Sequence, residues 1–395
     1  MSGEEGGKLH VVTADHISRT RRRWGSGIVW VSAALLVAVM LLQTLDGIGY
    51  LSLGFETWRP SLYAYLLWST CLCASQVMIR GEHGKRTLFV LPAALFVISM
   101  VVFPLLFGFV IAFSDWNLSS PDGRQFNGLD NLRQMWGDSF YWNALGNMVW
   151  YSAAIMVEYA IAFGLALLLN GQIRARKFFR VAFLLPLMLS PVAVSWMVGK
   201  SMLEIRFGPI ARFLRWIAAE PSVDLPAPLY YIGMLSHEVG QWLGWASPSF
   251  FGSAAVARAM IMMMDAWTFI PFMMIMILAG LQAIPRELFE AAEVDGASRW
   301  RRFWEITFPL MLPVSVTAIL IRIIFKLKLA DIIINVTSGG PGGATDSVTS
   351  FIFREYRDRS NVGYGTLLAI FYLVIIVIAM TILMKLAERW MKPRY

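Results

Sequence analysis

Two cysteines and four histidines are all that 395 residues hold of either type, and that scarcity removes several kinds of chemistry at once. Cys71 and Cys73 lie together in an apolar run, where buried thiols fit better than a zinc site, which needs more ligands at characteristic spacings. His10, His16, His83 and His237 are scattered, none beside a partner for metal or triad chemistry. Charged residues make up only 15% of the chain, below the roughly 25% of soluble domains. The stretch "GEHGKR" (81–86) lacks both the spacing and the hydroxyl of a phosphate-cradling G-x-x-x-x-G-K-[ST] loop. No alternating apolar pattern suggests barrel strands. No small-residue cleavage site follows a short apolar core after Arg19–Arg23, so the first apolar segment is expected to stay as a signal anchor.

What is present is apolar: 57% hydrophobic residues at a mean hydropathy of +0.59. Eight runs reach the length of about 20 residues that crosses roughly 30 Å of hydrocarbon, at 27–45, 61–79, 88–113, 144–169, 178–201, 257–282, 308–332 and 364–386. They are expected to be helices, which makes the fold class an all-α integral membrane protein. The net charge of +8 is not a nucleic-acid footprint, because the basic residues cluster at the ends of apolar runs. One set of connections carries twenty Lys and Arg, including Lys8, Arg19, Arg80, Arg174, Arg286, Lys385, Lys392 and Arg394; the other carries nine. The positive-inside rule then places both termini in the cytoplasm, as does the basic tail 1–26.

Residues 114–143 and 202–256 form long connections on the opposite side. Within "FGPIARFLRWIAAEP" (207–221), Ile210, Phe213, Leu214 and Ile217 recur at helical spacing, with Arg212 and Arg215 on other faces. A helix lying on the membrane surface and a docking ledge for an external partner are both consistent with this pattern.

Between the sixth and seventh runs lies "IPRELFEAAEVDGASRWRRFWEITFPL" (284–310), too long for a turn and too short for a domain. Pro285 suits a first helical position, and Glu287 and Glu290 place negative charge in the first turns. Ala291 and Ala292 leave the helix flat, so that another backbone can approach closely. Asp295-Gly296 marks a helix stop, and Ser298 suits the cap of a second helix. On that second helix Trp300, Phe303 and Trp304 share a face, while Arg299, Arg301 and Arg302 point elsewhere. Pro309 permits a kink on entry to the next run. An interfacial helix accounts for the aromatics and arginines; it does not account for a separate short helix with two alanines and a glycine stop.

That stretch resembles the EAA loop of permease subunits in binding-protein-dependent ABC importers, through Glu290, Ala291, Ala292, Asp295, Gly296, Ala297, Ile306 and Pro309. The likeness runs from about Thr87 to the C-terminus. "LFVLPAALFVISMVVFPLLFGFVIAFSDW" (88–116), "FFRVAFLLPLMLSPVAVSWM" (178–197) and "TSGGPGGATDS" (337–347) are similar to segments of the carbohydrate-uptake branch. The two additional N-terminal runs resemble a MalF-like subunit.

The resemblance implies a type I importer core of six helices (87–387) preceded by two extra helices (27–86), with a coupling loop at 283–308 and a cytoplasmic tail at 388–395. It implies a bacterial inner-membrane location. It also implies a sister permease, two ATP-binding cassette subunits that bind ATP and Mg in place of this chain, and an extracytoplasmic substrate-binding protein. The cargo expected is a sugar, oligosaccharide, polyol or anionic sugar derivative.

Ionisable residues at membrane depth mark functional sites. The seventh run holds Arg322, Lys326, Lys328 and Asp331; Arg322 and Lys326 are i, i+4 and repel unless something negative lies between them. The matching region of sugar permeases is polar and faces the pathway, often with Asn where this chain has lysine, so these four residues and Tyr364 are candidates for the substrate pathway. The lysines raise an anionic cargo. The competing reading is that Glu158, or a carboxylate of the sister subunit, neutralises the cluster, with Asp331 pairing to Lys328. Asp265, with Trp267, is expected to be structural.

Two other classes remain. A polytopic membrane transferase needs clustered carboxylates or histidines at an interface, and none is evident. An ion-coupled secondary transporter would use Glu158 and the lysines.

Overall fold

The computed structural model describes residues 18–47, 50–55, 57–121, 123–171, 174, 176–221, 226–244, 246 and 248–391; Lys8, Lys392 and Arg394 fall outside them. The chain divides into two compact units, residues 1–132 with 361–367, and residues 133–360 with 368–395.

In the first unit α1 (Arg19–Gly47), α2 (Arg59–Gly81) and α3 (Gly84–Ala112) are each long and apolar enough to cross a membrane. Helices α2 and α3 separate at Gly81, whose φ of 56° and ψ of −127° belong to a region open essentially to glycine alone. Buried Gln43 of α1 bridges to the start of α2: Nε2 donates to the Thr57 carbonyl at 2.8 Å, and Oε1 accepts from the Ser61 N–H at 3.0 Å and from the Ser61 hydroxyl. A two-stranded ribbon of β1 (Ser114–Asp115) and β2 (Gln125–Phe126) follows, paired antiparallel. The next helix, α4 (Asp130–Gly137), is fastened through Asn131, whose Nδ2 donates to the Ala112 and Ser114 carbonyls.

The second unit is built on α5 (Ser139–Asn170), which begins at the cap Asp138. The fifth apolar run is not one straight span. It enters as α6 (Arg176–Met188), bends by 97°, and continues as α7 (Pro191–Met202). Pro186 cannot donate to the helical ladder, and Pro191 holds Ser190 extended at φ −68°, ψ 149°. The Ser190 hydroxyl then caps the new helix by accepting from Ala193 N–H at 3.2 Å. The short α8 (Pro209–Ile217) and α9 (Ala227–Trp242) follow, with Phe213 and Trp216 exposed and stacked on α8. Then come α10 (Ala254–Ala283), α11 (Arg286–Val294), α12 (Arg299–Leu327), α13 (Asp331–Val336), α14 (Val348–Arg357) and α15 (Val362–Met391). Among the described residues, seven helices are long and apolar enough to cross a membrane, or eight if α6 and α7 together count as one crossing.

The seventh run differs from expectation at both ends. Helix α12 begins at Arg299, so the expected second helix of the loop is the first turns of the span itself. Residues Phe303–Thr307 are π-wound, with the Phe308 N–H reaching back to the Phe303 carbonyl. Pro309 explains this widening: its ring displaces the Glu305 carbonyl and it has no N–H to offer. The helix stops at Leu327, where carbonyls at and just beyond its end are taken by side-chain donors. Leu327 O accepts from the Tyr372 hydroxyl at 3.0 Å and from Thr349 Oγ1 at 3.2 Å, and Leu329 O accepts from Ser347 Oγ. Asp331 therefore opens a separate short helix.

Helices α5, α10 and α12 share the main core, where Ala162, Phe163, Ala166 and Leu169 meet Met273, Met274, Ile277, Leu278, Leu281 and Met311.

Candidate functional site

Helix α11 projects from this core with none of its nine residues buried. Leu288 is 42% and Val294 88% exposed, Ala291 is exposed and Ala292 half-buried, so a flat apolar strip lies bare. Pro285 stands at the cap position, one residue before the helix starts.

The end of α11 is built to stop. Ala297 N–H donates to the Ala292 carbonyl at 2.9 Å and Gly296 N–H to the Glu293 carbonyl at 3.1 Å, the paired bonds of a Schellman motif. Gly296 takes φ +70°, and a Cβ placed there would meet nothing within 4 Å. The glycine is required by backbone conformation and not by crowding. Ser298 caps α12 through Arg301 N–H at 3.3 Å. Arg302 reaches Glu293 at 3.6 Å across the turn, and Phe303, stacked with Trp300, packs edge-on against Phe163 of α5 at 5.8 Å. Ile306 is half-buried and Pro309 exposed. The result is a short, stiff peg whose base is fixed to the core and whose tip is free.

Deeper in the same three helices lies a buried ionic cluster. Glu158 of α5 accepts from Arg322 Nε at 2.7 Å and from Lys326 Nζ at 2.9 Å. Asp265 of α10 accepts from Arg322 Nη2 and from Lys326 Nζ. Arg322 and Lys326 are wholly buried, and their carboxylate partners nearly so. Two positive and two negative charges thus close on one another, and the Arg322 guanidinium also lies 4.3 Å from the Phe269 ring centre. The i, i+4 repulsion between Arg322 and Lys326 is met by two acids of this same chain, so the charge of both cations is balanced within it, although Arg322 Nη1 has no hydrogen-bond partner. Asp265 thus holds the structural place expected of it, and does so as the second counter-charge of the cluster. Its signal was that it is the one acid of α10.

The remaining candidates make none of the ion pairs of this cluster. Lys328 and Asp331 are both exposed, and no ion pair joins the two among the described residues. Tyr364 is buried.

A third constellation was not foreseen. Asn143, Asn147 and Tyr151, four residues apart on one face of α5, hold the glycine-rich loop 339–347. Asn143 Nδ2 donates to the Gly343 carbonyl at 2.9 Å, Asn147 Nδ2 to Ala344 and Asp346 at 2.8 and 2.9 Å, and the Tyr151 hydroxyl to Thr345 at 2.8 Å. Arg258 Nη1 steadies Asn147 Oδ1 at 3.1 Å. Asp346 accepts from Ser350 Oγ at 2.9 Å and from Arg354. Burial pushes its carboxyl above the ordinary carboxylate range, with Arg354 pulling it part of the way back.

A family model described as the binding-protein-dependent transport system inner membrane component matches residues 160–393, more than half of the chain. The chain belongs to that family. It is a permease subunit with multiple membrane-spanning helices, and transferase and ion-coupled readings give way to that assignment. The permease is 30% identical over 291 residues to the trehalose/maltose transport system permease protein MalF of Thermococcus litoralis, covering 73% of this chain and 89% of that one. It is 31% identical over 292 residues to the sulfoquinovosyl glycerol transport system permease protein SmoG of Agrobacterium fabrum, covering 73% and 86%. A solved bacterial alginate ABC transporter, in complex with an alginate pentasaccharide-bound periplasmic protein, contains a chain of like fold. Its TM-score is 0.61 at 20% identity, over 78% of this permease and 96% of that chain.

Proposed function

We propose that this permease forms one half of the translocation pathway of an ATP-driven importer that takes a carbohydrate from an extracytoplasmic binding protein. The observation that carries this is the peg: a bare, glycine-stopped helix between α10 and α12, braced on the core, with none of its own residues buried among the described residues. Glu290, Ala291, Ala292, Asp295, Gly296 and Ala297 form its tip, and Ile306 and Pro309 its root. A stiff projection of this kind suits a socket on another protein, here one of two ATPase subunits that bind ATP and Mg in place of this chain. A sister permease completes the pathway. Both termini, with the peg, face the cytoplasm. Closure of the ATPases biases the pathway only insofar as inward-open and outward-open states engage the peg differently.

The carbohydrate class follows the relatives, whose names include a neutral disaccharide and a sulfonated glycoside. With Arg322 and Lys326 neutralised, Lys328 is the lysine of the seventh run left exposed to meet an acidic cargo. The test is reconstitution of the permease with its partner subunits: binding protein loaded with the right sugar should stimulate ATP hydrolysis severalfold. Hydrolysis indifferent to every loaded binding protein would count against the reading.

A further inference from the structure

The first unit carries an apolar groove of about 560 Å³ between α1 and α2, with a single charged residue at one end. Trp24, Ile28, Val31 and Leu35 line it from α1 at helical spacing, and Leu67 and Cys71 from α2. Arg23 stands at its mouth. The hydroxyl of Ser32, which also borders the groove, donates its one hydrogen to the Ile28 carbonyl at 2.7 Å, so the interior offers a ligand no hydroxyl donor. A Cβ at Gly27 would meet nothing within 4 Å, and the glycine leaves the mouth open.

Size and charge point to one occupant. From Arg23 to Leu35 the helix rises roughly 18 Å at about 1.5 Å per residue, close to the ~15 Å depth of one leaflet's hydrocarbon. Arg23 is exposed and no carboxylate pairs with it among the described residues. Arg19, Arg21 and Arg22 precede it, with no acid in the first turn of α1. Trp24 beside it is 68% exposed, as suits a side chain at headgroup level. We propose that this groove is a binding site for an anionic phospholipid, one acyl chain lying along α1 and the phosphate held by Arg23. Basic residues at the mouth of an apolar cleft between membrane helices are suited to such headgroups. The two extra helices thereby gain a role as a lipid-reading element.

The test titrates the purified full-length chain, in neutral detergent, with phosphatidylglycerol or phosphatidylcholine and counts retained lipid by native mass spectrometry. Phosphatidylglycerol should be retained preferentially, and Arg23→Gln should weaken it about fivefold, with Arg23→Lys restoring most of it. Gly27→Leu and, independently, Cys71→Phe should block the groove and abolish the preference while every arginine remains. Equal retention of the two lipids, or phosphatidylglycerol binding unchanged in both groove-filling variants, overturns the proposal. So does a cysteine placed at Val31 that crosslinks to a sister permease in the assembled complex, because the groove would then be a protein interface.

Discussion

Arg322 Nε and Glu158 Oε2 lie 2.7 Å apart with both side chains buried, and Lys326 on the next turn of α12 shares the same carboxylate at 2.9 Å. Removing one member of such a group leaves a charge in the interior without compensation, which costs about 3–5 kcal/mol. Glu158→Ala should therefore lower the thermal stability of the purified subunit markedly. Glu158→Ala combined with Lys326→Met, which restores neutrality, should recover much of the loss. A Glu158→Ala protein as stable as the parent would contradict the closed-cluster description.

The two lysines should behave differently. Lys326→Asn breaks the cluster and is expected to destabilise the subunit whatever the cargo. Lys328→Asn removes an exposed charge at the end of α12, so melting should change by less than ~0.5 kcal/mol. If the cargo is acidic, its uptake should fall more than that of a neutral analogue. Identical effects of Lys328→Asn on acidic and neutral cargo in proteoliposomes would discard Lys328 as a charge reader.

Much of this is legible in the residues, for reasons that also explain what is not. Apolar length reads out the crossings, and Gly296, Ser298 and the flat Ala291–Ala292 pair announce the peg because caps and stops are local chemistry. The break at Ser190 is hidden because Pro186 and Pro191 sit inside a run whose hydropathy they barely disturb. The end of α12 at Leu327 is hidden because Tyr372, Thr349 and Ser347 arrive from later in the chain to take the carbonyls of Leu327 and Leu329. Asp265 and Glu158 are far apart in sequence, and only helix packing reveals that they answer the same two cations. The ladder of Asn143, Asn147 and Tyr151 has helical spacing that can be seen beforehand, but its partners are backbone carbonyls, which leave no mark in side-chain pattern.

That ladder yields a further expectation. Asn147→Ala strands the Ala344 and Asp346 carbonyls and an arginine donor, a loss of about 1–3 kcal/mol. Amide exchange in 339–347 should accelerate while exchange along α10 stays unchanged. Uniform acceleration across both would mean that Asn147 stabilises the whole unit and not the loop.

Acidity should act on the same loop with a definite sign. Because burial raises the Asp346 carboxyl above its ordinary value of 3.8, the folded loop binds a proton more readily than the unfolded chain. Its favourable contribution is full below that ordinary value and is lost as pH rises through the folded one. Loop protection, corrected for intrinsic exchange, should hold or rise between pH 7 and pH 5. A fall in the wild type that disappears in Asp346→Asn would show the opposite sign.

The coupling role proposed for the peg is tested at Gly296, whose φ of +70° suits glycine or asparagine and strains any β-branched residue by about 1–3 kcal/mol. The deciding measurement is sugar accumulated per ATP hydrolysed in proteoliposomes holding the full complex and loaded binding protein, for Gly296→Val and Gly296→Asn beside the parent. Gly296→Val should keep hydrolysing while its uptake falls at least tenfold, and Gly296→Asn should stay near the parent. Unchanged uptake per ATP in Gly296→Val would contradict the peg as the element that carries the motor's movement.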